Sequence, residues 1–300
     1  MALPLIHHPA YDAATVADGH RFPMRKYSHV ARMLRQDGHA LIEPRPVTQE
    51  QLETVHDPAY VEAVLTCTVD SKLSRKIGFE ITPAIVERSC ASVGGTLHAA
   101  RFAITAGAAV NLAGGSHHAH PEGGSGFCVF NDVGVAAHML LARGEVAKVL
   151  VVDLDVHHGD GTARMFATRD EVFTLSVHCE DNWPLEKPPS DMDIGLPRGV
   201  GDAVYLTTLR KALGIALERA QPDFVFYNAG VDPHKDDKLG HLQLSDGGLV
   251  QRDKIVVQTC IGREIPVCGV LGGGYSVDPL AVAKRHLFLV EAMTSCLSPA

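Results

Sequence analysis

The chain has 300 residues, 46% of them hydrophobic and 21% charged, with a formal net charge of −8. That apolar content can fill one large core, and an acidic chain without a basic block makes a poor electrostatic partner for nucleic acid. No apolar run approaches the ~20 residues of a membrane span, and the start "MALPLIHHPAYD" lacks the basic region and long apolar stretch of a secretory signal. Seven cysteines, none in a CxxC pair, suggest reduced thiols in a cytoplasmic protein rather than a disulfide framework or a cysteine zinc site. The unusual count is 17 histidines beside one tryptophan.

Taken in chain order, residues 7–23 read as loop. "TPAIVERSCASVGGTLHAARFAITAG" then reads as a helix, with Thr82 as N-cap and Pro83 at the first helical position. A strand follows at 108–114, a helix in "NDVGVAAHMLLARG", and strands at 148–155 and 171–177. Residues 179–202 read as loop and hold Trp183. "GDAVYLTTLRKALGIALERA" is a helix, 223–230 a strand, "LVQRDKIVVQTCIGR" a helix and 266–274 a strand. The strands are short, continuously apolar and rich in β-branched residues, as in parallel sheets covered on both faces. Strand–helix alternation predicts a single α/β domain over 1–300, a doubly wound parallel sheet with helices on both faces. No repeat or low-complexity segment interrupts it.

Such sheets bind ligands beyond the carboxyl ends of their strands, and here those ends are chemically loaded. "GGSHHAHPEGGSGFC", "DLDVHHGD", "NAGVDPHKDD" and "GGGYSVD" each follow a predicted strand. Alternation along an extended segment puts Asp153, Asp155 and His157 on one face. Asp155 and His157 can bind one cation, with Asp232 from another strand end as third ligand; three protein ligands and one open position suit a catalytic zinc. A lone histidine at a strand end would more simply be a core residue, and Asp153 alone a helix cap. D-x-D-x-H together with a second strand-end aspartate favours metal. His117 and His118 are adjacent, so only a special turn presents both to one site. There they would serve as paired imidazoles, each oriented by a carboxylate, with Asp153 and Asp160 the unspent candidates. Tyr275 could donate to an oxyanion.

At this point the motifs resemble a family. "GGSHHA", "GSGFCVFND", "DLDVHHGDGT", "NAGVDPHKDDKLG" and "GGGY" stand in the order and spacing of the zinc-dependent histone deacetylases, from about "HPAYD" to the last helix. "GHRFPMRKY" and the segment from "YNAGVD" to "RD" look most like class IV and its bacterial relatives. The resemblance implies an eight-stranded, parallel arginase-like sheet. It implies zinc on Asp155, His157 and Asp232, with iron(II) also suited to such ligands. It makes His118 the general base and then acid, held by Asp160, and His117 the electrostatic partner, held by Asp153. Tyr275 would polarise the amide carbonyl. A structural potassium ion would lie on Asp153, the backbone oxygens of Asp155, His157 and Val177, and the Ser176 hydroxyl. Gly126, Phe127, Trp183 and Gly273 would line the substrate tunnel. Trp183 and Pro184 stand in "CEDNWPLEKPPS", where the family carries its second aromatic wall, and the acidic residue that grips substrate backbone in class I has no match.

The implied reaction is hydrolysis of acyl-lysine in proteins or peptides, the acyl group being acetyl or longer. Glycines in "GGSHHAHPEGGSGF" could leave space beside the zinc for longer chains. A deacetylase of acetylpolyamines is the alternative, although those relatives carry an added loop for which 300 residues leave no room. An arginase-type two-metal hydrolase would need further ligands, and "DLDVHHGD" offers one complete set. A catalytically dead acyl-lysine reader is disfavoured because every catalytic position is filled.

Overall fold

The computed structural model describes residues 2–14, 16 and 19–297. Its strands are β1 (Leu5–Ile6), β2 (Ala108–Asn111), β3 (Val149–Asp153), β4 (Val172–Cys179), β5 (Met192–Leu196), β6 (Phe224–Asn228) and β7 (Val267–Val270). Ten α-helices accompany them among the described residues: α1 (Lys26–Gln36), α2 (Gln49–Leu52), α3 (Pro58–Leu65), α4 (Ser71–Ile77), α5 (Pro83–Ala106), α6 (Asp132–Ala142), α7 (Asp160–Phe166), α8 (Asp202–Ala220), α9 (Asp246–Ile261) and α10 (Pro279–Leu297). None is long and apolar enough to cross a membrane.

The strands form one sheet in the order β1-β2-β7-β6-β3-β4-β5, every pair parallel. The expected eight strands are seven among the described residues; near the β1 edge Ile42 adds only an isolated bridge to Ile6. Helices α5, α6 and α7 pack in succession, as do α8, α9, α10 and α1, so the sheet is covered on both faces. β2, β3, β6 and β7 are buried along their whole length. That explains their unbroken apolar sequences, since neither face can be polar. Strand β5 corrects the loop expected over 179–202. It is an edge strand with one side in water, and "MDIGL" therefore lacks the apolar run that marked the others.

The chain reverses its winding between β3 and β6: β4 and β5 lie on one side of that pair, β7, β2 and β1 on the other. The crevice outside the carboxyl ends of β3 and β6 is therefore the expected ligand position. Local signals behave as read. Thr82 accepts a hydrogen bond from the Ile85 amide at the start of α5, Pro83 follows it, and Gly107 ends the helix at φ 85°.

One histidine ties the loop around residue 120 to α6. His56 is buried, its Nδ1 donates to the His120 carbonyl, and its Nε2 accepts from the Asn131 amide. The second bond requires the neutral ring, and burial pushes its pKa down to about 4 from 6.5. The unfolded chain therefore binds more protons than the folded one between those values, and stability falls as pH drops from about 6.5 toward 4. His7 is likewise pushed down to about 4 by burial and acts in the same direction. We expect the urea midpoint to fall across that window and His56→Gln to flatten part of the fall. A midpoint independent of pH there would contradict the assignment.

Candidate active site

Asp153 ends β3, Asp155 and His157 follow in the next four residues, and Asp232 lies four residues beyond the end of β6. Because β3 and β6 are neighbours in register, the two segments meet. His157 Nδ1 stands 3.0 Å from Asp155 Oδ1 and 3.2 Å from Asp232 Oδ2. One ligand atom from each of the three lies within 4.8 Å of the others, and all three residues are buried. The Asp155 carboxylate also accepts from the His157 and Gly273 amides, and Asp232 Oδ1 from the Val156 amide. Burial, then the adjacent Asp155 carboxylate, pushes the Asp232 carboxyl up to about 7. Burial opposes charge on His157, but the two carboxylates outweigh it and raise the ring to about 10. Such a group attracts a cation: its donors are two carboxylates and an imidazole, the set that zinc or iron(II) accepts.

The tandem histidines occupy a turn after β2 that the glycines before them make possible, with φ 79° at Gly114 and 82° at Gly115. His117 Nδ1 lies 2.6 Å from Asp153 Oδ2, and His118 Nδ1 lies 2.6 Å from Asp160 Oδ1. The two rings are 4.0 Å apart, and both are buried. Their environments push them in opposite directions. For His117 burial opposes charge, but Asp153 and Asp155 prevail and raise it to about 9. For His118 burial and the charge on His117 lower it to about 3, against the pull of Asp160. One ring is held charged and its neighbour neutral.

Tyr275 faces His157, ring centroids 6.2 Å apart, and its hydroxyl makes no hydrogen bond among the described residues. Burial and the nearby Asp155 and Asp232 hold that hydroxyl well above the usual range, so it stays protonated and able to donate. Phe127 lies 5.8 Å from the Tyr275 ring, within a cluster that includes Phe22 and Phe79. Trp183 packs edge-on to His118 at 4.6 Å and is 43% exposed, which puts it at the mouth. A Cβ on Gly126 would come within 2.6 Å of His118 and 2.8 Å of Trp183, so this glycine is there for close approach. Gly123 aside, a Cβ on any glycine of "GGSHHAHPEGGSGF" would likewise meet a neighbour within 3 Å, so these glycines serve close approach of chain segments. Gly273 sits at the floor, against the Asp155 and Asp232 carboxylates.

Of the residues expected around a monovalent ion, Asp153 and Ser176 are register partners on β3 and β4. Asp153 Oδ1 accepts from Asn228 Nδ2 and the Asp155 amide, and the Ser176 hydroxyl lies 2.9 Å from His178 Nδ1.

Several supporting residues escaped the reading of the sequence, although they stand inside motifs quoted from it. Asp132, fully buried, accepts from Thr96 and the amides of Gly115 and Ser116, fixing the histidine turn. Asp237 accepts from the Tyr275 amide, while the Lys238 amide donates to the Tyr275 carbonyl. Arg252 on α9 pairs with Asp253 and donates to the carbonyls of Leu154, Ala229 and Gly230. It thereby braces both metal-site segments from beneath. Lys26, buried behind Tyr275, donates to the Gly272 carbonyl. These roles require knowing which loops meet, and motif spacing alone carries no such signal.

A parallel α/β sheet with an acid–imidazole triad and two carboxylate-held imidazoles at its switch point defines the arginase/deacetylase class of folds. The chain belongs to the histone deacetylase domain family, whose match covers residues 20–290. It is 43% identical to an uncharacterized protein of Picosynechococcus sp., covering 97% of this chain and 98% of that one. It is 28% identical to histone deacetylase 2 of Arabidopsis thaliana, over 90% of this chain and 74% of the relative. A crystal structure of an HDAC homolog complexed with SAHA superposes with TM-score 0.82 at 26% identity, covering 97% of this chain and 84% of that one.

Gly273 supplies a direct test of the floor. A Cβ there would come within 2.2 Å of Asp232 and 2.6 Å of Asp155, in a buried region whose carboxylates are already hydrogen-bonded. Gly273→Ala should leave circular dichroism unchanged and lower both metal content and activity. Full retention of metal would remove Gly273 from this role.

Proposed function

We propose that this deacetylase-family hydrolase is a zinc-dependent deacylase of acyl-lysine side chains in proteins or peptides. The observation that carries it is the pair of imidazoles 4.0 Å apart, one held charged and one neutral, beside a buried acid–imidazole triad. Asp155, His157 and Asp232 would hold the divalent ion, zinc or iron(II). When bound, it supplies Lewis acidity toward the amide carbonyl and the attacking water. Potassium on Asp153, Ser176 and the backbone oxygens of Asp155, His157 and Val177 completes the proposed cation set. The seven unpaired cysteines support a reducing, cytoplasmic setting.

His118, neutral, accepts a proton from the attacking water at Nε2, because Nδ1 donates to Asp160. The same nitrogen then returns the proton to the departing lysine amine. His117, charged and held by Asp153, stabilises negative charge developing nearby. Tyr275 donates to the oxyanion, with its backbone gripped by Asp237 and Lys238. Phe127 and Trp183 enclose the alkyl stem of the substrate.

The charges beside the site favour a peptide substrate over a polyamine. The ~960 Å³ cavity beside Tyr275 carries the exposed Arg21, Arg25 and Lys238 against Asp12 among the described residues, an unfavourable field for a polycation. The acyl group removed is acetyl or longer.

Tyr275→Phe should retain fold and metal and lose roughly 10²–10³ in kcat, as for a single oxyanion donor. His118→Ala should lose nearly all activity and His117→Ala should leave a residual rate; the reverse ranking would refute the assignment of base and partner. With one peptide carrying acetyl-, octanoyl- or myristoyl-lysine, a kcat/KM that falls steadily with chain length would leave a plain deacetylase. A rate held or raised with chain length would support acyl groups longer than acetyl. Acetylpolyamine turnover above that of the acetyl peptide would replace acyl-lysine as the substrate.

A further inference from the structure

The second histidine of "DVHHGD" has no part in the site described above. Its neighbour His157 turns toward Asp232, and His158 turns the opposite way, across the carboxyl ends of β4 and β5. There His158 Nε2 lies 3.0 Å from Asp193 Oδ1. Strand pairing brings two more candidate ligands to this spot. Ser176, His178 and Glu180 alternate onto one face as β4 runs out, and β5 sets Asp193 beside Ser176 and Gly195 beside His178. The His158 and His178 rings stand 4.8 Å apart at 87°, and one ligand atom from each of His158, His178 and Asp193 lies within 4.8 Å of the others. Glu180 Oε2 is 3.7 Å from His178 Nε2, and it occupies the space left by the missing side chain of Gly195.

We propose that His158, His178, Asp193 and Glu180 form a second divalent-cation site of the zinc type, separate from the Asp155 site. A buried hydrogen-bonded pair would account for His158 and Asp193 alone. It does not account for His178, which is buried and whose Nε2 has no hydrogen-bond partner among the described residues although two carboxylates stand near it. Two imidazoles and two carboxylates make the four-ligand closed set of a structural zinc site. Metal–ligand bonds of about 2.0–2.2 Å need donors roughly 3.5 Å apart, so small side-chain rotations close the present separations. His178 Nδ1 meets the Ser176 hydroxyl, the kind of outer hydrogen bond that orients a ligating imidazole, while the buried His158 Nδ1 has no hydrogen-bond partner among the described residues.

The location gives the ion a task. Residues 180–191 connect β4 to β5 and carry Trp183, which rests against His118. His178 and Glu180 lie at the start of that connection and Asp193 at its end. An ion binding all of them ties the base of the loop and steadies the wall of the active-site mouth without touching substrate.

The test is metal stoichiometry of the full chain, stripped of metal and then dialysed against buffered zinc chloride, read by elemental analysis with the thermal midpoint alongside. Wild type should hold two zinc ions per chain. Asp193→Asn and the surface variant Glu180→Gln should each hold one or lose most of the second, and Asp155→Ala should hold one. Saturating the second site should raise Tm in wild type and in Asp155→Ala alike, because binding only the folded chain stabilises it. A wild type with one zinc, kept by Asp193→Asn and Glu180→Gln and lost in Asp155→Ala, overturns the second site and leaves the first intact. One zinc lost in Asp193→Asn and kept in Asp155→Ala supports the second site and overturns the first. Glu180→Gln is exposed enough to fold whatever happens at Asp193.

Discussion

Negative charge is buried at the carboxyl ends of β3 and β6, and the rest of the structure is arranged around that fact. Asp153, Asp155 and Asp232 are each at most 4% exposed, and burying an isolated carboxylate costs several kcal/mol or more. Each is answered by specific donors. Asp153 receives His117, Asn228 and a backbone amide; Asp155 and Asp232 receive backbone amides and share His157. Those donors still leave two carboxylates close together. One of them is raised toward neutrality unless a cation lies between them. The field that raises His157 and His117 comes from the same carboxylates.

The scaffold meets this demand by bringing backbone close rather than by adding side chains. Arg252 reaches from α9 to three carbonyls under the loops that carry Asp155 and Asp232, and is itself matched by Asp253. Asp132 does the converse for the histidine turn, gathering amides of Gly115 and Ser116. Glycines at 114, 115 and 273 let chain segments approach to distances that a Cβ would forbid. In the folded chain these glycines mark close approach of neighbouring segments. A neutral His118 follows from the same crowding, since burial and the adjacent charged ring both discourage its protonation.

Two edges of the site differ in character. The inner floor is closed and polar, built by strands with no solvent-facing side. The mouth is assembled from Trp183 in the β4–β5 connection and from Phe127, Phe22 and Tyr275 on the other side. Beside Tyr275 the basic side chains of Arg21, Arg25 and Lys238 line a cavity on this outer side. The chemistry belongs to the floor.

How much of this the sequence determined varies with the physical range of each feature. The buried parallel strands were legible because a strand covered on both faces must be apolar throughout, and α5 was legible through Thr82, Pro83 and Gly107. Asp155, His157 and Asp232 were legible as ligand types from D-x-D-x-H and a second strand-end aspartate, although β3 ends at Asp153 and the bends after it, not strand alternation, set how Asp155 and His157 point. β5 was not, because at a sheet edge "MDIGL" has no reason to be apolar. Tertiary structure alone decided that Asp153 and Asp160 each meet one ring of the tandem histidines, that Asp237 grips Tyr275, and that Arg252 braces both metal-site loops. It also decided that His158 turns away from His157 toward His178 and Asp193. Each of those contacts joins residues from different strand ends. Sequence fixes what a strand end carries, and only the order of strands in the sheet fixes which ends become neighbours.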